Sequence, residues 1–417
     1  MAPRYSRREH HVSDNPDGQP ALPFLQFADE SALDDESSST KSQSDTPSAL
    51  VDTTPLSSAD STVNLNKSKM LECLAKIENE NSVISLRTQI ARLTRMLDSA
   101  TSDRIGLLNI TANGDTITLT QQYILAELNQ IAESQTLERA RYYIDRLEKA
   151  LTEVRTNEVN DINLNRWKEY EDITTDSLWV IEKRDSSGAH TAGYWGNFIP
   201  QIPNQMIKRY TKQGEWVLDT FAGCGTTLIE SQRLGRNGIG IELQPNVASR
   251  ARELIGAERN KFGVVSEVVN GDSSIVDYRS ILQQHGQKSV QLLVMHPPYF
   301  DIIKFSDDPR DLSNAPSVES FLEMMNRIVD RASSLLDKGR YFVLVIGDKY
   351  AKGEWIPLGF LTMNEIMKRG FALKSIIVKN FEDTTAKRNQ KELWRYRALV
   401  GGFYIFKHEY VFLFRKK

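Results

Sequence analysis

Residues 215–245 read EWVLDTFAGCGTTLIESQRLGRNGIGIELQP, and this stretch decides the fold. Its first apolar run, Trp216 to Leu218, has the composition of a buried strand and ends at Asp219. The segment Phe-Ala-Gly-Cys-Gly at 221–225 then predicts a tight glycine turn, and a helix over residues 228–234 follows it.

The helix has clear start and stop signals. Thr226 and Thr227 are good N-cap residues, and Gly235 closes the helix. Ile-Gly-Ile at 239–241 predicts a second strand, which ends in Glu242. Strand, glycine turn, helix, strand and terminal acid are typical of the nucleotide-binding half of a doubly wound sheet. In that arrangement a ligand's polar tail lies against backbone N–H groups, and Glu242 holds two ribose hydroxyls.

A second motif follows another predicted strand. Residues 290–300 read VQLLVMHPPYF, so the strand ends in the tetrad His296-Pro297-Pro298-Tyr299. A Pro-Pro pair offers no N–H group and has a stiff backbone, and the tyrosine supplies a flat face for stacking.

Together the two motifs resemble those of a known family. Residues 219–225 are similar to the D-P-F-x-G-x-G cofactor loop of the S-adenosylmethionine-dependent DNA amino-methyltransferases, with Thr220 in place of the proline. The tetrad at 296–299 resembles the D/N/S-P-P-Y catalytic motif of those enzymes, with His296 in the first position. The resemblance covers roughly the second half of the chain, and it implies methylation of adenine N6 or cytosine N4 in DNA.

The resemblance also implies which residues form the site. S-adenosylmethionine is the expected cofactor, and the tetrad residues His296, Pro297, Pro298 and Tyr299 are the expected catalytic group. The residues expected to bind the cofactor are Asp219, Phe221, Gly223, Gly225, Thr226, Glu242, Asp272 and Asn197. Asn197 belongs to an element that closes one wall of the cofactor site in the family. Asp272 has two readings, either a cofactor acceptor or an ordinary turn residue in Asn-Gly-Asp.

The tetrad has a definite chemical task. An exocyclic amine is a poor nucleophile, so the site must accept a hydrogen bond from it and hold the base outside the duplex. Phe300 or Phe305 would add an apolar wall. A neutral imidazole at His296 accepts through one ring nitrogen, whereas a protonated one cannot. We therefore expect activity to fall as the pH drops through the histidine pKa.

The strand pattern predicts an α/β fold, namely the class I methyltransferase (Rossmann-like) sheet of seven strands with one antiparallel strand near its edge. The predicted strands are 216–218, 239–242, 264–269, 290–295, 341–346, 373–378 and 409–414. A disordered, Ser/Thr/Asp/Pro-rich tail (1–66) and a helical, coiled-coil-like segment (67–155) precede it. A connector (156–195) then leads to the catalytic domain (196–417). Within the helical segment we expect one helix over 67–99 and another over 120–155.

Charge and cysteine content limit the surroundings of the protein. Residues 1–68 hold 5 Lys and Arg against 11 Asp and Glu, whereas residues 374–417 hold 11 against 4, although the whole chain of 417 residues is near neutral at −3. Cys73 and Cys224, the two cysteines, predict neither a disulfide scaffold nor a metal site. No apolar run is long enough to span a bilayer, and we expect a cytoplasmic protein without membrane contact.

DNA is the expected partner, and the candidate segments for contacting it are residues 301–317, the basic stretch 379–402 and the N-terminal helices. Lys387, Arg388, Lys391, Arg395 and Arg397 would bind phosphates, with aromatic residues interleaved for stacking. The N-terminal helices would pack on themselves, on the catalytic domain, or on a second copy or partner subunit. The alternative for this segment is a DNA-reading module. Two other functions stay open, an RNA base methyltransferase and a cofactor-binding but inactive partner subunit.

Overall fold

A computed structural model describes residues 62–98, 107–108, 115–191, 196–351, 353–380 and 391–417, and the description below concerns these residues. All of them belong to one unit of the chain. Residues 1–61, most of the expected tail, lie outside the description. Among the described helices, none has both the length and the apolar character needed to cross a bilayer.

The first part of the chain is a small helical cluster with its own core. Its elements are β1 (Thr62–Asn66), α1 (Lys67–Glu78), α2 (Val83–Asp98), β2 (Thr116–Thr120), α3 (Gln121–Ala132) and α4 (Leu137–Thr152). Strands β1 and β2 pair antiparallel, and apolar side chains from all four helices meet in one core. The helices therefore pack on one another, as one of the alternatives for this segment predicts.

Two expectations for this segment need correction. Residues 62–66, placed in the tail, form β1 because Leu65 is buried in the cluster core and pairs with Ile117 of β2. Each expected long helix is interrupted by a short turn, the first after Glu78 and the second after Ala132. Thr136 accepts a hydrogen bond from Arg139 N and thereby caps α4, which is why the second helix restarts there.

The remaining elements build the main sheet and its helices. They are β3 (Leu178–Trp179), α5 (Gln201–Tyr210), β4 (Trp216–Asp219), α6 (Thr226–Arg233), β5 (Asn237–Glu242), α7 (Pro245–Ala257), β6 (Ser266–Asn270), α8 (Tyr278–Gln284), β7 (Val290–Met295), α9 (Val318–Ser333), β8 (Leu336–Ile346), β9 (Lys349–Ala351), β10 (Glu354–Ile356), α10 (Leu358–Lys368), β11 (Phe371–Asn380), α11 (Lys391–Gly401) and β12 (His408–Lys416). Strands β9 and β10 form a separate antiparallel pair.

The main sheet has the strand order β3-β11-β12-β8-β7-β4-β5-β6. Strand β12 runs antiparallel to both of its neighbours, whereas the other pairs are parallel. All seven predicted strands are present, so the expectation of a class I methyltransferase sheet is confirmed, and β3 adds an eighth, two-residue strand at one edge. The central strands are buried on both faces by helices, which explains their continuous apolar runs.

The order of the strands fixes where a ligand can bind. The chain passes from β4 outward through β5 and β6, then returns to the other side of β4 as β7. In open α/β sheets, ligands bind at the carboxyl ends of the strands beside such a reversal. The carboxyl ends of β4 and β7 are therefore the expected centre of the site.

Candidate functional site

The two motifs lie side by side at the reversal. Strands β4 and β7 are paired in parallel, with Asp219 opposite Val294. The backbone N–H of Thr220 donates to the carbonyl of Val294 at 3.3 Å, two residues before His296. The glycine loop after β4 and the tetrad after β7 thus begin at neighbouring points of the same sheet edge.

The glycine loop is shaped by two residues in the left-handed region. Gly223 has φ of 51° and Gly225 has φ of 82°, conformations that residues with a Cβ rarely adopt. Gly225 is the N-cap of α6, and Thr226 is the first residue of the helix, so the expectation of a threonine cap is wrong. The left-handed turn brings the chain into the helix one residue earlier than the sequence suggests.

A third glycine lets the next strand approach the loop. Gly240 lies in β5, and a Cβ built on it would be 2.8 Å from the Cβ of Ala222 and 3.0 Å from Leu228 Cδ1. The N–H of Ala222 also donates to the carbonyl of Ile241 at 2.9 Å. Only a glycine at position 240 allows β5 to lie this close to Ala222, and this close approach fixes the distance between the loop and the sheet.

Asn197 is joined directly to the loop. The Thr226 hydroxyl donates to the Asn197 side-chain oxygen at 2.9 Å, and Arg184 donates to the carbonyls of Asn197 and Phe198. The segment before α5 is therefore held against the start of α6. Two of the residues expected to bind the cofactor are brought together by this contact.

Asp219 is buried beneath the loop, with no exposed surface. One of its carboxylate oxygens accepts a hydrogen bond from Phe221 N at 2.9 Å. The other oxygen, Oδ2, has no hydrogen-bond partner of normal length among the described residues, and the Thr227 hydroxyl is its nearby polar neighbour. Burial raises the pKa of this carboxyl to about 6, because the charged form is desolvated. Phe221 itself is half-buried and packs against the main core.

Glu242 closes the other side of the loop. Its two oxygens accept hydrogen bonds from Gly223 N at 3.0 Å and Gln244 N at 2.9 Å. Burial raises the pKa of the Glu242 carboxyl above its usual range, and the side chain is 8% exposed. A carboxylate offers about four acceptor positions, so these two bonds leave capacity for a ligand's hydroxyl groups.

Asp272 lies at the end of the third parallel strand, β6, and begins a turn. Its Oδ1 accepts a hydrogen bond from Ser274 N at 2.7 Å, the pattern of an Asx turn. The neighbouring Ser273 hydroxyl donates to the carbonyl of Thr220 at 2.6 Å, which ties this turn to the glycine loop. Asp272 is thus a turn residue placed beside the loop, and its contact with the cofactor stays a prediction.

These groups fit S-adenosylmethionine. The cofactor carries an ammonium group, a ribose diol and an adenine, and the loop offers acceptors for such groups. Asp219 places a buried carboxylate beneath the loop, and Glu242, which is 8% exposed, has spare acceptor capacity. The residues around the loop would therefore hold the ammonium and hydroxyl groups of the cofactor.

His296 is held between an aromatic ring and a hydroxyl. Its ring centroid lies 4.7 Å from that of Phe198, and its Nε2 lies 3.1 Å from the Tyr299 hydroxyl. Burial lowers the pKa of His296 to about 4, because the protonated imidazole is desolvated. The imidazole is therefore neutral at physiological pH, which an acceptor must be.

Tyr299 is fixed by a bond that the sequence did not suggest. Its hydroxyl donates to Glu409 Oε2 at 2.7 Å, and burial raises the pKa of Tyr299 well above its usual range. Glu409 Oε1 lies 3.1 Å from Lys379 Nζ. Gly347 leaves room for the ring, because a Cβ there would be 3.0 Å from Tyr299 Cε2.

The expected apolar wall needs one correction. Phe300 has φ of 54°, a strained value for a bulky residue, and its ring is buried in the main core at 6.0 Å from Phe321. Its ring is therefore part of the core and is not open to a base. The Phe305 ring packs against Gly196, where a Cβ would be 2.7 Å from Phe305 Cζ, and its contact with a base stays a prediction.

Helix α11, the described helix of the basic stretch, lies at the same edge of the sheet as the tetrad. Helix α11 connects the carboxyl end of β11 to the start of the antiparallel β12. Arg395 is exposed, and Arg397 lies 5.3 Å from the ring of Trp394. Lys387 and Arg388 lie outside the described residues, as does the Lys391 side chain. Contact of these residues with DNA stays a prediction.

One group of possible metal ligands occurs among the described residues, although the sequence predicts no metal site. Asp185, His190 and Glu230 offer atoms that lie within 4.8 Å of one another. Arg233 Nη1 lies 3.2 Å from Glu230 and 3.7 Å from Asp185, so both acids already face a guanidinium. We interpret the group as an ion-pair cluster that ties the connector to α6.

Glu409 and Lys379 are the residues that sequence reasoning missed. They lie directly opposite each other on β12 and β11, and both are buried, with Glu409 3% exposed. The sequence signal was a single acid at the start of the apolar run HEYVFLF, where a buried strand was already predicted. A buried acid needs a partner, which was the available clue.

A family model described as DNA methylase matches residues 115–253 and 290–417, more than half of the chain. The chain is 42% identical over 52 residues to Type II methyltransferase M.MjaII of Methanocaldococcus jannaschii, covering 12% of this chain and 10% of that protein. Type II methyltransferase M2.DpnII of Streptococcus pneumoniae is 34% identical over 100 residues, which covers 23% of this chain and 34% of that protein. Type II methyltransferase M.BglI of Bacillus subtilis is 29% identical over 128 residues, which covers 30% of this chain and 34% of that protein. The matched part is about a third or less of each relative.

Proposed function

The chain belongs to the DNA methylase family, whose methyl donor is S-adenosylmethionine. From that premise we propose that it methylates the exocyclic amino group of a DNA base, either adenine N6 or cytosine N4. One observation carries the proposal. The glycine loop and the tetrad follow two paired strands, β4 and β7, at the reversal of the sheet. A methyl donor held by the loop and a base held by the tetrad would face each other across that edge.

Each residue of the tetrad has a role in this proposal. When bound, S-adenosylmethionine supplies a methyl group on a sulfonium sulfur. His296, neutral because its pKa is about 4, accepts a hydrogen bond from the substrate amine and orients its lone pair. Pro297 and Pro298 offer no competing N–H group, and their stiff backbone holds the histidine in place. Tyr299 provides part of the surface against which the base rests.

The base must leave the duplex before it can enter this site, because its amino group is otherwise paired. Arg395 and Arg397 on α11 would hold the backbone of the displaced strand. Several exposed apolar side chains accompany them, and such groups suit stacking with unpaired bases. Those exposed side chains are Leu393, Tyr396, Leu399, Val400 and Tyr404.

The Type II relatives suggest a biological setting. We place the protein in a restriction-modification or defence system, in which methylation marks the DNA of the host. The helical cluster buries a core of its own, yet it leaves Ile84 77% exposed and Tyr142 54% exposed. A second copy or a partner subunit that docks on this cluster remains part of the proposal.

Transfer of labelled methyl groups tests the function. Purified protein is incubated with methyl-labelled S-adenosylmethionine and either duplex DNA or structured RNA, and cofactor binding is measured by calorimetry in parallel. We expect label in DNA, and loss of that label with Tyr299→Ala. Label in RNA alone would assign an RNA base methyltransferase. Cofactor binding without transfer to any of many DNA substrates would assign an inactive partner subunit.

A further inference from the structure

We propose that Glu409 is a positioning residue for His296. Acting through Tyr299, it keeps the imidazole proton on Nε2 and leaves Nδ1 as the acceptor for the substrate amine. The consequence for catalysis rests on the methyltransferase function proposed above, whereas the position of the proton can be tested without any activity.

The first step concerns Glu409. It lies opposite Lys379 in the pairing of β12 with β11, and the two side chains form an ion pair of 3.1 Å in a buried setting. An ionised carboxylate has no hydrogen to donate. Glu409 can therefore only accept a hydrogen bond from the Tyr299 hydroxyl, 2.7 Å away.

The second step concerns the single hydrogen of the phenol. Burial holds the pKa of Tyr299 well above its usual range, so the hydroxyl keeps its proton. That hydrogen is directed at Glu409, and the phenol oxygen has only lone pairs left for its other neighbour. The other neighbour is His296 Nε2 at 3.1 Å, which must therefore be the donor of the bond between them.

The third step concerns the imidazole. A neutral imidazole carries one N–H, and which nitrogen bears it is set by the hydrogen bond that the ring makes. Since Nε2 donates to Tyr299, Nδ1 holds the lone pair. Within the described part of the chain, His296 has no hydrogen bond at Nδ1. An exocyclic amine offers N–H groups, so a site with Nδ1 unprotonated attracts it, and the opposite tautomer would repel it.

The carboxylate of Glu409 sets the direction of the hydrogen bonds through Tyr299 to His296, and we expect an amide at position 409 to reverse that direction. In Glu409→Gln the side chain keeps its shape, and the Lys379 ammonium draws the amide oxygen to its own side. The amide NH₂ then faces Tyr299 and donates to the phenol oxygen. The phenol must turn its O–H toward His296 Nε2, and the imidazole proton moves to Nδ1. The same substitution in a Lys379→Met background frees the amide to present its oxygen, which restores the original tautomer.

Nuclear magnetic resonance of protein labelled with ¹⁵N-histidine tests the proposal directly. The chain has six histidines, and the His296→Asn variant identifies the signals of His296. We expect a pyrrole-type signal at Nε2 and a pyridine-type signal at Nδ1 in the wild type, and the reverse in Glu409→Gln. The double variant with Lys379→Met is expected to return to the wild-type pattern. A protonated Nδ1 in the wild type, or an unchanged tautomer in Glu409→Gln, overturns the proposal.

A matched control lies on the same strand. His408 Nε2 lies 3.0 Å from the Tyr410 hydroxyl, so Tyr410→Phe removes an equivalent His–Tyr bond outside the tetrad. It is expected to alter the signals of His408 and to leave those of His296 unchanged. Should Glu409→Gln fail to fold, Tyr299→Phe decides the question, because loss of the phenol oxygen must produce a mixture of the two tautomers at His296. A single Nε2–H tautomer in Tyr299→Phe would contradict the proposal.

The catalytic consequence is measured separately. Glu409→Gln is expected to lower kcat by about 100-fold while the KM for S-adenosylmethionine stays within about twofold of the wild type. Partial return of kcat in the double variant is expected along with the return of the tautomer. If the wild type transfers no methyl group to DNA, the function proposed above fails, and the tautomer measurement still stands on its own.

Discussion

Tyr299 and Glu409 share a hydrogen bond of 2.7 Å although 110 positions separate them in the chain. The bond joins the tetrad, which follows the parallel strand β7, to the second residue of β12, which runs in the opposite direction. A reversed strand begins at the edge where its parallel neighbours end. The antiparallel strand of this fold thereby delivers a charged residue to the edge where the substrate would bind.

The depressed pKa of His296 predicts an unusual pH profile. Since the folded-state pKa is about 4, the imidazole stays neutral as the pH falls through 6.5, and the acceptor is lost only below about pH 5. We expect kcat for methyl transfer, measured at saturating S-adenosylmethionine so that titration of Asp219 does not limit binding, to change less than about twofold between pH 8 and pH 5. The fall through the histidine pKa that the sequence predicts is thereby placed near pH 4, the folded-state value for His296.

The His296→Asn variant is the control for that profile, because it puts an acceptor oxygen of the kind found in the family at the same position. In this variant the loss of activity near pH 4 should disappear from the pH profile, provided that circular dichroism shows the protein to be folded at that pH. A wild-type midpoint near pH 6.5 would show that the imidazole titrates normally and would contradict the account of the site.

The contact between β5 and the glycine loop predicts a strong effect of Gly240→Ala. The new methyl group would lie 2.8 Å from Ala222 Cβ, and overpacking of this kind costs about 1–3 kcal/mol. If the loop moves to relieve this overlap, it must return to its original position to bind the cofactor. A cost of about 1.4 kcal/mol for that return lowers the affinity for S-adenosylmethionine about tenfold, which calorimetry can measure. Gly256→Ala is the matched control, since nothing lies within 4 Å of its added Cβ in α7. Equal cofactor affinity in the two variants would argue against the loop as the cofactor site.

Asp219 is predicted to favour function at the expense of stability. Its pKa rises from an ordinary value to about 6 on folding, so the ionised form destabilises the fold at neutral pH by roughly 3 kcal/mol. The raised pKa of an acid means that this cost is present above pH 6 and disappears as the pH falls toward 4. Asp219→Asn should therefore unfold at a higher temperature than the wild type at pH 8, with a smaller difference at pH 5.

The same variant should bind S-adenosylmethionine more weakly, because an amide cannot balance the cofactor's ammonium charge. Thermal unfolding with and without the cofactor measures both effects. A variant that gained no stability at pH 8, or that bound the cofactor as well as the wild type, would remove Asp219 from the proposed role.

The placement of α11 predicts that Arg395 and Arg397 contribute to DNA affinity through phosphate contacts. Replacing both with alanine should reduce the slope of log affinity against log salt concentration by about 2. Lys338→Ala with Lys374→Ala is the matched control, because these exposed lysines lie at the starts of β8 and β11, at the opposite edge. A titration of fluorescent DNA over a range of salt compares the two pairs, and equal slopes in both would place the DNA elsewhere.

Much of the fold could be predicted because its central strands are apolar runs bounded by glycine, an acid or the tetrad. The stretch around Asp219 and the tetrad after β7 each mark the carboxyl end of such a strand, and both were placed correctly. The helical segment was harder, since the apolar period continues across the turns before Val83 and Leu137. Polar residues in those turns could cap new helices, but the apolar periodicity continues across the turns and therefore predicted one long helix in each case.

The side-chain contacts that define the site could not be predicted from local sequence patterns. Glu409 looks like one acid beside an apolar strand, and its meaning appears only when β12 is placed next to β11 and Lys379. The position of Phe300 depends on a backbone conformation with positive φ, and no sequence pattern around this residue predicts such a conformation. Pairings between distant parts of the chain decide both cases.

The nature of the methylated product tests the central claim most directly. DNA incubated with the protein and S-adenosylmethionine is digested to nucleosides, which are separated and identified by mass spectrometry. The account predicts N6-methyladenine or N4-methylcytosine, and its absence with His296→Ala. A methyl group found only on a ring carbon, or unmodified DNA from a protein that binds the cofactor, would contradict it.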